Sequence, residues 1–155
     1  LILLLNDDNT LSDEAIYKTH EKGTGAYAAV EILLKGAEYK LPDNIIFNDK
    51  DGHERKEVRI KWWLNCDTRL DQICLPDNTI TEDFVGSKIV PQQDIPGYTS
   101  DNSPVFFGHY WMEGDPQILA DNVACLDYSV AKGGKLVAYR WGGEQKLSND
   151  NFVFV

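Results

Sequence analysis

Apolar and polar positions alternate most clearly near the end of the chain. From Lys135 to Trp141, Leu136, Ala138 and Arg140 fall on one side and Val137, Tyr139 and Trp141 on the other, the period-two pattern of a strand. Gly133-Gly134 before it supplies a tight turn, and Asn122 to Val130 reads as the hairpin partner. Upstream, Pro104 to Phe107 is a short apolar run that predicts a buried strand. It stops at Gly108-His109, where a glycine lets the backbone turn and leaves a histidine at the strand's end. Asn151 to Val155 closes the chain, and its Phe-Val-Phe-Val run has the strand propensity to add to an existing sheet edge.

The first third has helical spacing. Ser12 opens a helix with Asp13 and Glu14 in its first turn, where negative charge complements the helix dipole, and this helix ends near Gly23. A second helix runs from Tyr27 to Lys35, with Val30, Leu33 and Leu34 on one face and Gly36 closing it. His20 lies late in the first helix, where a cation near the C-terminus is stabilising without any catalytic role. The opening Leu1 to Leu5 reads as the end of a strand, too short to cross a bilayer and without the basic flank of a signal peptide.

Between these parts, Ile45 to Phe47 and Val58 to Trp63 read as strands joined through NDKDGHERKE, with Asp51-Gly52 as the turn. A calcium loop fails there, because the alignment puts Phe47 and Val58 where ligands are needed. His53 is a loop residue in this reading. Alternation sends Arg59, Lys61 and Trp63 to one face and Ile60 and Trp62 to the other. A basic-aromatic surface for a base or a phosphorylated peptide is one consequence; core packing of both tryptophans is the other, and it is favoured because large aromatics mostly bury themselves. From Asn65 to Ser103 Asp and Pro break the pattern, leaving one strand or helical turn near Ile80 to Val90, and the stretch 65–103 is expected to be a cap or insertion. The fold class expected is α+β, a single domain over 1–155 with N-terminal helices and mostly antiparallel strands.

Composition narrows the function classes. The 155 residues carry a net charge of −10, and the lysines are scattered, which argues against a nucleic-acid partner held by clustered Lys and Arg. Three cysteines without C-x-x-C spacing indicate neither a disulfide framework nor a zinc knuckle, and they fit a reducing, cytoplasmic setting with no membrane partner.

The segment from Ser103 to Trp141 carries the most specific signature: an apolar strand, G-H, then N-V-A-C-L-D, then G-G-K-L-V-A-Y. It resembles the C-terminal part of calcineurin-like metallophosphoesterases, the superfamily of protein phosphatases and symmetrical diadenosine-tetraphosphate hydrolases. Gly108-His109 matches that family's late G-H, Asn122 to Asp127 its next strand, and Gly133 to Leu136 its closing turn. Trp111 stands where many members have a second histidine, as in the phosphatase-like branch. Of the family's earlier motifs, G-D-x-x-D and G-N-H-[DE] do not occur in these 155 residues, and the D-x-H spacing occurs once, at Asp51-Gly52-His53 in the loop read above as a hairpin turn. Leu33 to Pro42 resembles a segment of bacterial members and suggests no mechanism.

The resemblance implies the C-terminal portion of a β-sandwich enzyme that hydrolyses phosphomonoesters or dinucleoside polyphosphates. Two divalent metal ions (Mn, Fe, Zn or Mg) would activate a bridging water in the complete enzyme. His109 is the implied metal ligand, Tyr110, Trp111 and Arg59 the expected substrate contacts, and Asp127 the expected partner orienting the imidazole. One histidine cannot build such a centre, so the chain by itself is expected to hold no metal and to be inactive without a missing N-terminal half or a partner chain. Two other readings stay open: a binding module using Trp62, Trp63, Tyr110 and Trp111 as an aromatic surface, and a chain that completes a partner.

Overall fold

The computed structural model describes residues 10–43, 45–48, 52–75, 77, 80 and 88–155. The Leu1–Leu5 run, Asp51 of the expected turn and most of the Ile80–Val90 stretch lie outside them. The chain divides into two compact units, 1–36 and 37–155.

The first unit is a pair of helices, α1 (Asp13–His20) and α2 (Gly25–Lys35), which pack on each other. Both start where the sequence offers a cap. The Ser12 hydroxyl accepts from the Ala15 amide at 3.1 Å and the Thr24 hydroxyl from the Tyr27 amide at 3.1 Å, satisfying N–H groups the helix itself leaves unpaired. Gly36 ends α2 at φ 94°, a conformation that favours glycine, and its amide donates to the Ile32 carbonyl. Ala15 and Ala26 are buried, whereas Leu33 and Leu34, expected on an apolar face, are more than 60% exposed.

The second unit contains thirteen short strands among the described residues: β1 (Glu38–Lys40), β2 (Phe47–Asn48), β3 (Glu54–Arg55), β4 (Glu57–Ile60), β5 (Thr68–Arg69), β6 (Cys74–Leu75), β7 (Ile89–Val90), β8 (Val105–Phe107), β9 (Ile118–Ala120), β10 (Val123–Cys125), β11 (Asp127–Tyr128), β12 (Lys135–Tyr139) and β13 (Phe152–Phe154). They form three-stranded sheets in the orders β1-β4-β6, β8-β10-β9 and β11-β12-β13, with two-stranded pairs β2-β3 and β5-β7. All pairings are antiparallel except β8 with β10. The fold is α+β.

Two strand assignments change. The hairpin partner of β2 is Glu54–Arg55, not Val58–Trp63. Val58 instead sits in the centre of another sheet, opposite Tyr39, because its strand is sandwiched between β1 and β6. The long strand expected over Asn122–Val130 breaks at Leu126 into β10 and β11, which belong to different sheets. β12 follows the expected alternation, with Val137 turned inward and Leu136 outward, and β13 adds to its edge as expected.

Apolar burial divides into three clusters. Val58, Ile60, Leu70, Ile73 and Val90 make the first, with Trp62 packed at its edge. The stretch 65–103, expected as a cap or insertion, thus supplies some of the most deeply buried side chains; Leu70 and Ile73, on the short helix α3 (Leu70–Ile73), are fully buried. β10 separates the other two clusters. Every residue of it is buried, and alternation sends Val123 and Cys125 into the cluster around Trp63 and Tyr110 and Ala124 into the one around Tyr128, Val137 and Phe152. A strand covered on both faces needs apolar residues at consecutive positions, which is what V-A-C provides.

Candidate functional site

The loop 108–112 leaves the end of β8, beside β10. Phe107 pairs with Cys125, and the Leu126 amide donates to the Phe107 carbonyl at 2.8 Å, so the two strands end together. His109 follows at φ 69°, exposed, and Trp111 at φ 51°. Both conformations are sparsely populated for residues with a side chain, and Ser129, at φ 61°, is a third. Among the described residues these are the non-glycine positions with positive φ, and the amides of two of them, Trp111 and Ser129, meet at one carboxylate.

That carboxylate is Asp127. Its Oδ2 accepts from the Trp111 amide at 3.3 Å and its Oδ1 from the Ser129 amide at 3.1 Å. Its own carbonyl accepts from the Met112 amide at 2.9 Å, and the Ser129 hydroxyl donates to the Met112 carbonyl at 3.3 Å. Asp127, expected to orient the His109 imidazole, makes its carboxylate hydrogen bonds with backbone instead. Arg59 holds the loop from the other side: its Nη1 donates to the His109 carbonyl and its guanidinium carbon lies 5.6 Å from the centre of the Tyr110 ring.

The loop's side chains diverge. Trp111 is 43% exposed and carries the Lys132 ammonium 4.6 Å from its ring centre. The two close off a recess of about 170 Å³ with Asp127, Ser129, Val130 and Ala131. Tyr110 points inward and is only 6% exposed. Its hydroxyl is enclosed, so a substrate contact through it is not available at the surface, and the same burial pushes its pKa up to about 12. A second groove, about 470 Å³, lies alongside and is lined by Met112, Glu113, Tyr128 and Lys135 among others. Lys135 pairs there with Asp115 and lies 4.4 Å from the Phe154 ring centre.

The turn into β12 is sterically fixed. A Cβ on Gly134 would lie 1.9 Å from the Tyr128 carbonyl oxygen, and Gly133 sits at φ 82°. Only glycine fits at 134, which accounts for the G-G read in the sequence.

The aromatic surface left open as an alternative, from Trp62, Trp63, Tyr110 and Trp111, does not form, and the favoured core packing of Trp62 and Trp63 does. Trp63 is 5% exposed, and Trp62 and Trp63 pack edge to face with centroids 5.5 Å apart, against Phe107 and Tyr98. The alternation fails because β4 ends at Ile60; the Trp62 amide then turns back to the Ile60 carbonyl, so the two rings follow a turn into the core. Sequence reasoning missed Ser129 and Lys132. Ser129 had a signal, since an Asp two residues before it is the spacing of an Asx turn. Lys132 had none, because its contact with Trp111 depends on the fold.

The residues present do not fit a two-metal centre. Among the described residues no three His, Cys, Asp or Glu side chains come together as a metal site, and Asp127, the carboxylate expected beside His109, is committed to amides. His109 is one donor, where a site needs three or four. Among the described residues, no helix is long and apolar enough to cross a membrane.

No family model matches the chain, and no solved structure matches it. It is 34% identical over 87 residues to a Ralstonia nicotianae protein called symmetrical bis(5'-nucleosyl)-tetraphosphatase. That alignment covers 53% of this chain and 30% of the relative, so the chain spans under a third of the relative's length.

Proposed function

We propose that the chain is part of a phosphoester hydrolase related to the symmetrical dinucleoside tetraphosphatases, with phosphomonoesters or dinucleoside polyphosphates as substrate. What carries the reading is the position of His109, exposed at the end of β8, where its strand and β10 stop in register. The 34% identity to a tetraphosphatase supports it independently of that geometry.

In this reading His109 is the one metal ligand contributed by the described residues. The remaining ligands come from residues outside them or from another chain, because the described residues do not supply them. Trp111 is the exposed aromatic beside His109, with ring centroids 6.0 Å apart, and is the side chain best placed to meet substrate. Arg59 acts at one remove by fixing the His109 backbone. The net charge of −10 fits a phosphate-handling protein only if cations screen the substrate's charge.

The test uses protein expressed from the complete coding frame. With manganese it should hydrolyse p-nitrophenyl phosphate or diadenosine tetraphosphate, and His109→Ala should lower kcat/KM by at least about a hundredfold, the upper range for disturbing groups around a metal. Metal-independent hydrolysis, or full activity in the His109→Ala protein, contradicts the reading.

A further inference from the structure

We infer that Asp127 is a positioning residue: by accepting the Trp111 and Ser129 amides it locks the loop 108–112 and the turn after β11 into one arrangement, and this places His109 and Trp111. The inference deepens the proposed function, and rests on that reading only for its catalytic consequence.

Two segments with no reason of their own to adopt left-handed conformations meet at this carboxylate. His109, Trp111 and Ser129 all have positive φ, which persists in residues with side chains only when the surroundings over-determine it. Asp127 supplies that constraint at Trp111 and Ser129, while Arg59 holds the His109 carbonyl. Each carboxylate oxygen takes one amide, from Trp111 at 3.3 Å and Ser129 at 3.1 Å, and hydrogen bonds to an ionised acceptor are stronger than neutral ones. The ring is closed by Met112 donating to the Asp127 carbonyl and Ser129 Oγ donating to the Met112 carbonyl. The Trp111 indole is thereby presented to Lys132, and the recess of about 170 Å³ takes its walls from both clamped segments. An asparagine of the same shape keeps one acceptor and turns an N–H toward the other amide, so Asp127→Asn breaks the clamp without leaving a cavity.

Amide hydrogen exchange and NMR on the 155-residue chain test this. In Asp127→Asn whichever of the Trp111 and Ser129 amides faces the new N–H should exchange roughly tenfold faster, the factor for losing about one such hydrogen bond, while Val123 and Val137 in the core strands keep their rates. The His109 ring resonances should move as well, although Asp127 does not hydrogen-bond the ring. In the wild type, a coupling across the hydrogen bond from Asp127 Cγ to each amide nitrogen is expected, which needs no variant to fold. Unchanged exchange at Trp111 and Ser129, couplings missing at both amides, or equal acceleration throughout the core would overturn the inference. None of these outcomes bears on phosphoester hydrolysis, so the inference and the proposed function fail separately.

Discussion

Arg59 donates from Nη1 to the carbonyl oxygen of His109, fifty residues away, tying the central strand of one sheet to the loop after another. The guanidinium also lies over the buried Tyr110 ring at 5.6 Å, so one side chain fixes both the backbone of His109 and the ring beside it. Arg59→Ala should lower unfolding free energy by about 1–2 kcal/mol, less than a buried charged hydrogen bond because the group is partly exposed. Arg59→Lys should recover part of the loss but not the planar contact with Tyr110. Urea titration of both variants measures this.

The two tryptophans of the core and the one beside His109 should respond differently. Trp63→Ala is expected to cost about 3–5 kcal/mol, as for a buried aromatic, and Trp111→Ala under about 1 kcal/mol. Denaturant midpoints decide between this and an aromatic binding surface, which would make both substitutions mild.

The Arg69 side chain donates to both carboxylate oxygens of Asp71, at 3.0 and 2.9 Å, and holds that carboxyl below its ordinary pKa. A depressed folded-state pKa contributes stability that is present above the unfolded value near 3.9 and is lost as pH falls through the folded one. Stability of the wild type should therefore drop more steeply below about pH 4 than that of Asp71→Asn. Parallel curves for the two proteins between pH 2 and 5 would contradict it.

Cys66 is exposed, while burial pushes Cys74 up to about 12 and Cys125 to about 11. Only thiolate reacts, so a disulfide reagent at pH 8 should label one thiol in the folded chain and three in denaturant. Mass mapping should place the first label on Cys66.

What the sequence disclosed follows from which forces are local. The caps at Ser12 and Gly36, the Gly133-Gly134 turn and the β12 alternation are set by neighbours a few residues apart, and these were legible, whereas the Thr24 cap, which starts α2 at Gly25 rather than Tyr27, was not read. The partner of β4 was not, because Val58 and Ile60 satisfy an alternating pattern in any sheet, and only the assembled cluster selects β1 and β6. Nor were Leu70–Ile73 and Val90 legible as core, since short apolar pieces between Asp and Pro look like loop until something covers them. At the candidate site, His109 stood out as a strand-end histidine. The direction of the Asp127 carboxylate was hidden, because it depends on left-handed residues at 109, 111 and 129 that no propensity favours.

In the proposed function His109 belongs to a phosphoester-hydrolysing centre whose other metal ligands the described residues do not supply. The most direct measurement is steady-state hydrolysis of diadenosine tetraphosphate and p-nitrophenyl phosphate by the 155-residue chain with added manganese, beside the His109→Ala protein. No turnover above the His109→Ala control is expected. A manganese-dependent rate in the isolated chain that disappears in His109→Ala would contradict that expectation.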